Sequence, residues 1–179
     1  MDGLDGVDPS QFEYTSCYCE ENVWKLLNDH APRLSASGKS EDDQQLSRWA
    51  ACFISNPRKQ VAVFRQKAGR GDVGAIVWDY HVVAIGPHPD PALKGSLYVY
   101  DFDSTLLFPC PIELYFALAL PRDVVAERYQ PMFRVVPRGL FLRHFSSDRS
   151  HMIKDDKYLS PPPAYDPILA GGLLRLCTN

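Results

Sequence analysis

Cys19 stands where a helix should begin. Cys19, Val23, Leu26, Leu27 and His30 recur at the spacing of one helical face, which predicts a helix over about 19–30. Ser16 precedes it as a plausible cap, and Glu20 and Glu21 fall in the first turn, where the helix dipole favours acids. A thiol at a helix N-terminus is placed to ionise and attack, whereas its plainer use is to fill core space. Cys17 lies ahead of the apolar stripe, so the packed face carries Cys19 and not Cys17. A cysteine nucleophile needs a base and a group to orient that base, and the chain offers five histidines. In the β-branched run Ala75–Ile85, residues Ala75, Val77, Asp79, His81, Val83 and Ile85 share one face. In Leu97–Asp103, residues Leu97, Val99, Asp101 and Asp103 share another. If these runs form an antiparallel hairpin with Ile85 opposite Leu97, His81 stands opposite Asp101. Directly opposed side chains have Cβ atoms about 5 Å apart, close enough for a carboxylate to hold an imidazole and fix its tautomer. Cys19, His81 and Asp101 are then the parts of nucleophilic catalysis, although an Asp–His pair on strands also serves as a structural hydrogen bond.

The remaining histidines fit lesser roles. His30 is at a helix C-terminus, where partial positive charge is favoured; His88 sits between prolines and reads as a solvated loop residue; His144 and His151 flank a polar loop without metal-ligand spacing. The elements that must position the trio begin with the helix over 19–30. A loop with a short helix near 41–48 follows, then short strands at Ala51–Ser55 and Gln60–Arg65 joined by an Asn56-Pro57-Arg58-Lys59 turn, and the pair Ala75–Ile85 and Leu97–Asp103. Next come a buried helix Ile112–Leu120 stopped by Pro121, a helical turn or two in Arg122–Tyr129, and a strand at Phe133–Val136. Residues 1–13 read as a mobile acidic tail, and 154–179 as a Pro-rich segment. One helix followed by mostly antiparallel strands gives an α+β fold in a single domain over 1–179.

Composition limits the possible functions. The 179 residues carry a net charge of −3 with basic residues scattered, so nothing draws the chain to nucleic acid, and a monomer is expected. No run approaches the length of a membrane span, and Met1–Asp8 has neither a basic nor an apolar signal region, which makes cytosol and nucleus the expected locations. Five cysteines cannot all pair and do not form a zinc spacing, and no phosphate-binding Gly-rich loop is present. Pro162-Pro163-Ala164-Tyr165 matches a WW-domain ligand through Pro162, Pro163 and Tyr165, and equally suits a capping loop.

Several segments occur together and in order: Ser16-Cys17-Tyr18-Cys19-Glu20-Glu21-Asn22, Phe53-Ile54-Ser55-Asn56, Val77-Trp78-Asp79-Tyr80-His81-Val82-Val83, Tyr100-Asp101-Phe102-Asp103, Phe108-Pro109-Cys110-Pro111 and Ser147-Asp148-Arg149-Ser150-His151-Met152. From about Tyr14 to Tyr165 the chain resembles the N-terminal glutamine amidohydrolases. The resemblance implies conversion of an N-terminal Gln side-chain amide to Glu with release of ammonia, an early step of the arginine branch of the N-degron pathway, without a cofactor. It implies an α/β sandwich with a papain- or transglutaminase-like core and a triad of Cys19, His81 and Asp101. It further implies a carboxylate that reads the substrate's free α-ammonium, for which Glu20, Asp79 and Asp103 are candidates, with Trp78 beside them in the substrate-binding set. First-turn amides of the Cys19 helix are expected to serve the oxyanion.

One stretch departs from the family. Its pattern past the prolines includes a Gly-Trp segment, whereas here Tyr165 is followed by Asp166–Asn179 with Leu173, Leu174 and Leu176. The alternatives to the amidohydrolase reading are another Cys-His-Asp acyltransferase or peptidase, and a catalytically impaired binding module.

Overall fold

The computed structural model describes residues 7–34, 46–71, 73–93 and 95–170. Chain order runs α1 (Cys19–Lys25), a π-helical turn (Leu26–His30), α2 (Ala31–Leu34), β1 (Ala50–Ser55), β2 (Val61–Val63), β3 (Ile76–Trp78), β4 (Tyr80–Pro87) and β5 (Leu97–Tyr100). It continues with β6 (Cys110–Pro111), α3 (Ile112–Ala119), β7 (Met132–Pro137), α4 (Arg138–His144), β8 (Ile153–Lys154) and β9 (Lys157–Tyr158). The main sheet is five-stranded in the order β6-β5-β4-β1-β7, and every pair in it is antiparallel. Two small hairpins, β2–β3 and β8–β9, lie outside it. The architecture is thus mixed α and β with a mostly antiparallel sheet, as the alternating runs predict. Among the described residues no helix is long and apolar enough to cross a membrane.

The sheet is covered on both faces, which is why β4 is almost uninterruptedly apolar. Val82 and Ala84 point to one side, where Val23, Leu26 and Leu27 of the first helix pack with Trp49 and Tyr100. Val83 and Ile85 point to the other, against Val61, Val63 and the Tyr115–Ala119 face of α3. From Tyr80 to Pro87 every residue after the first is buried.

Four expectations are corrected by the tertiary structure. Asn56–Lys59 does not fold β2 back onto β1; β1 takes β4 and β7 as neighbours, and β2 pairs with β3. The predicted long strand breaks at Asp79, whose carboxylate accepts the Tyr80 amide, so Trp78 belongs to the small hairpin and His81 to the main sheet. The first helix is capped at Tyr18 without a side-chain hydrogen bond, so Ser16 is not its cap, and it passes through a π turn into α2. Within the expected N-terminal tail, Phe12 is in the core, its ring against His30, Phe102 and Phe108. Residues 1–6 and most of the expected 41–48 helix lie outside the described residues.

Candidate active site

Chemistry is concentrated where β4 and β5 part company. Their pairing runs from Ala84–Tyr100 to Pro87–Leu97, two residues out of step with the predicted Ile85–Leu97 register. A shift of two keeps every side chain on its expected face, so His81 and Asp101 still meet. They do so diagonally: β5 ends at Tyr100, Asp101 begins a turn, and His81 Nε2 lies 2.9 Å from Asp101 Oδ1. Both residues are buried. The stretch of β4 below Ala84 has no β5 partner, and into this opening the first turn of α1 brings Cys19, its sulfur near the Val82 amide.

A cleft of about 270 Å³ is lined by Cys17, Cys19, Trp78, Asp79, Tyr80, His81, Asp103, His151 and Met152. His81 has Nε2 occupied by Asp101, which leaves Nδ1 as the ring nitrogen for the thiol. The Trp78 indole stacks over the imidazole at 15° with centroids 6.0 Å apart. The break at Asp79 makes this possible, because on one continuous strand the two side chains would face apart. Asp79 itself is at the cleft wall. Glu20 is buried beside Cys19, its carboxylate 3.4 Å from Cys19 Sγ and accepting from the Tyr80 hydroxyl at 3.0 Å. Asp103 accepts from the Tyr14 hydroxyl at 2.5 Å.

Electrostatically the site is a thiol among carboxylates. Burial pushes the Cys19 thiol well above its ordinary value, and the Glu20 charge adds to the rise, outweighing the Val82 amide. Burial and the Glu20 charge thus work against the thiolate that the helix dipole favours. Burial disfavours a charged His81, but the Asp101 charge and hydrogen bond, with Asp103 and Glu20, raise it overall. Burial would raise the Asp101 carboxyl, yet the His81 charge and the bonds from His81, Gln66 and Tyr115 hold it below its ordinary value. Asp103 is raised, chiefly by burial.

Sequence reasoning missed two of these partners. Tyr115 on α3 donates to Asp101 Oδ2 at 2.8 Å, and Gln66, in the loop after β2, donates to the same oxygen at 2.9 Å. Tyr115 could have been noticed four residues before Ala119 on the inward face of a predicted helix. Gln66 carries no local signal: it is delivered by pairing of its loop with the one after β5, through Lys67 N to Asp103 O and Thr105 N to Arg65 O. His81, Asp101 and Asp103 have ligand atoms within 4.8 Å of one another, a spacing a metal ion could use. However, Asp101 Oδ1 already takes His81 and the Asp103 amide, and Oδ2 takes Gln66 and Tyr115, so its four acceptor positions are filled.

Three other readings change. His88 is buried, accepts from the Asp90 amide and packs on Tyr98, so it is not a solvated loop residue. His151 belongs to the cleft wall and faces the Tyr80 ring. The WW-ligand match is not presented as a free segment: Pro163 is buried, and Tyr165 is held by the Arg149 guanidinium over its ring and by an Arg149 N–H to its carbonyl. A larger apolar groove of about 650 Å³, between β7 and α4, has none of Cys19, His81 and Asp101 in its lining.

A thiol and an imidazole on one cleft, the imidazole backed by a buried carboxylate, at the open end of an antiparallel sheet, are groups that hydrolytic chemistry can use. The particular family follows from comparison: residues 14–175 match the N-terminal glutamine amidase family model, and the chain belongs to that family. It is similar to the protein N-terminal glutamine amidohydrolase of Drosophila melanogaster, 41% identical over 163 residues that make up 90% of this chain and 74% of the relative. The protein of the same name from Drosophila erecta is 42% identical over 159 residues, 88% of this chain and 72% of that one.

Proposed function

We propose that this chain hydrolyses the side-chain amide of an N-terminal glutamine, giving glutamate and ammonia, with Cys19 as nucleophile, His81 as acid and base, and Asp101 as orienter. The observation that carries the reading is Cys19 and His81 lining one cleft, with the buried Asp101 carboxylate 2.9 Å from His81 Nε2, in a chain whose relatives bear that activity in their names. In the first half-reaction the Cys19 proton passes to His81 Nδ1, the sulfur bonds to the glutamine Cδ, and the collapsing tetrahedral intermediate expels ammonia carrying that proton. In the second, His81 takes a proton from water, the hydroxide adds to the thioester carbonyl, and the thiol leaves reprotonated by His81. The papain- or transglutaminase-like arrangement belongs to this proposal: helix-borne thiol, strand-borne imidazole. First-turn amides of α1, which lack intrahelical acceptors, and the Val82 amide are the donors at hand for the oxyanion.

Selection of an N-terminal residue needs a group for the α-ammonium. Asp103 is the best placed of the three candidates: it lines the cleft, its carboxyl is raised by burial, and a bound cation would relieve it. Glu20 has both oxygens engaged, by Cys19 and by Tyr80, and Asp79 is exposed and accepts the Tyr80 amide, whereas Asp103 is largely buried and takes the Tyr14 hydroxyl on Oδ1. The test is ammonia release from a Gln-initiated peptide, its N-acetylated twin and an internal-Gln peptide, with Cys19→Ala as control. Release from the free N-terminal Gln alone, abolished by Cys19→Ala, supports the proposal; no release from folded protein, or equal release from all three peptides, overturns it.

A further inference from the structure

We propose that Gln66 and Tyr115 are positioning residues for the reaction, clamping Asp101 Oδ2 from two sides so that Oδ1 meets His81 Nε2 and the imidazole presents Nδ1 to Cys19. The inference rests on the hydrolytic reading of the cleft and adds to it the residues that make the base work. Asp101 needs such a clamp because the sheet does not supply one. It lies one residue past the end of β5, and in the turn that follows, its own carbonyl accepts from the Ser104 amide. A carboxylate on a turn rotates over a broad torsional range, and once buried without donors it takes up a proton. On Oδ1 the Asp103 amide assists at 3.0 Å, but that bond is local and moves with the turn. The Oδ2 donors come instead from separate elements, Tyr115 from α3 at 2.8 Å and Gln66 from the loop after β2 at 2.9 Å. Both are 1% exposed and so have little freedom of their own.

Gln66 shows a second sign of this role. Among the described residues its buried Oε1 has no hydrogen-bond partner, an arrangement that costs stability and that an apolar side chain of the same length would relieve. What the amide gives in return is the Nε2 bond to Asp101. A residue serving the fold alone is poorly explained by that exchange; one serving the carboxylate is well explained.

The groups that face the pair are His81, Asp103 and Tyr115, with Cys52 and Cys110 beyond the Tyr115 hydroxyl, Lys67 beside Asp103, and Glu20 and Cys19 on the cleft side. Among these, the donors from Gln66 and Tyr115 favour the ionised carboxylate, so removing either makes Asp101 easier to protonate and deprives the imidazolium of its counter-charge.

The experiment compares wild type with Tyr115→Phe, Gln66→Met and, as a control, Tyr100→Phe, whose hydroxyl donates to the Pro87 carbonyl away from the triad. Two pH profiles are recorded: ammonia release from a Gln-initiated peptide, and iodoacetamide alkylation of Cys19 followed by mass spectrometry. Loss of a charge-assisted hydrogen bond predicts a fall in kcat of roughly ten-fold for each variant with KM little changed. Both profiles should move to lower pH, because an imidazolium without its counter-charge gives up its proton sooner and neutral His81 takes the thiol proton, while Tyr100→Phe leaves them in place. Gln66→Met should retain wild-type thermal stability or exceed it, an outcome that a purely structural role does not produce. Unmoved profiles in Tyr115→Phe and Gln66→Met, whether rates are retained or fall uniformly at every pH, overturn the proposal. Should Gln66→Met not fold, Tyr115→Phe, which loses one oxygen, carries the same test. The alkylation profile is independent of substrate, so absence of ammonia release from wild type would refute the hydrolytic reading while leaving the clamp testable.

Discussion

At the scale of residues, the site works by mutual correction of unfavourable burial. Cys19 is pushed up by burial and by Glu20, and His81 is raised because Asp101, Asp103 and Glu20 outweigh its own burial. In the proposed reaction His81 has to be neutral to accept the thiol proton, so kcat/KM on a Gln-initiated peptide should rise with pH through a midpoint above the ordinary histidine value of 6.5. A pH–rate profile checks this, and a midpoint below that value would contradict the site's electrostatics. The same shifts bear on stability in opposite senses. His81 holds its proton more tightly when folded, so its contribution is complete below pH 6.5 and fades as pH rises through its folded value. Asp101 is depressed, so its contribution is present above 3.8 and fades as pH falls through its folded value. Asp103 gives a second prediction. Asp103→Asn should raise KM for Gln-initiated peptides by roughly 10- to 100-fold, the worth of a charge-assisted contact, with a smaller change in kcat. Steady-state kinetics decide it; an unchanged KM would move the ammonium reader to Glu20 or Asp79.

Elements matter here for what they fasten together. Glu21, two residues after Cys19, is buried and makes a two-bond ion pair with Arg149, Nε to Oε1 and Nη2 to Oε2, both at 2.8 Å. The same guanidinium lies over Tyr165 and donates to its carbonyl, so one side chain ties α1 to the segment after β9. A fork of planar donors suits this double duty as lysine would not. Arg149→Met leaves the Glu21 charge buried and unpaired, which should cost about 3–5 kcal/mol in denaturant unfolding. Glu21→Gln in the same chain should recover part of that loss; a double variant no better than Arg149→Met would refute the pairing as the cause. The sequence showed α1, α3 and β7 through their periodicity and stop signals, Pro121 ending α3 and Leu120 closing it. It misled about β2 because Asn56-Pro57 is good turn chemistry whether or not a hairpin follows: Asn56 uses its side chain to bind Gln60 and the carbonyls of Arg128 and Gln130, linking loops instead of pairing strands.

For the molecule as a whole, the sheet is a partition with a gap, and the core on both faces keeps that gap in shape. The N-terminal segment takes part: Phe12 is 8% exposed and packs on Phe102 and Phe108, which lie just beyond Asp101 and before β6. Phe12→Ala should lower stability by about 3–5 kcal/mol, the usual cost of emptying a buried aromatic site. Thermal or denaturant unfolding would show it, and a loss under 1 kcal/mol would mean that the segment is not part of the core. Local period and residue type alone yield the thiol at a helix start, His81 on its strand face with Asp101 near enough to meet it, an antiparallel α and β architecture, and the order of motifs that marks the family. Face and period survive a register error of two because side chains alternate every residue. Only the tertiary structure decided the rest. It ended β5 at Tyr100, broke the long strand at Asp79 so that Trp78 could lie over His81, and brought Gln66 and Tyr115 to Asp101 from loops and helices distant in sequence. Those outcomes follow from competition between packed surfaces for the same strand edge, and no local stretch of residues contains that competition.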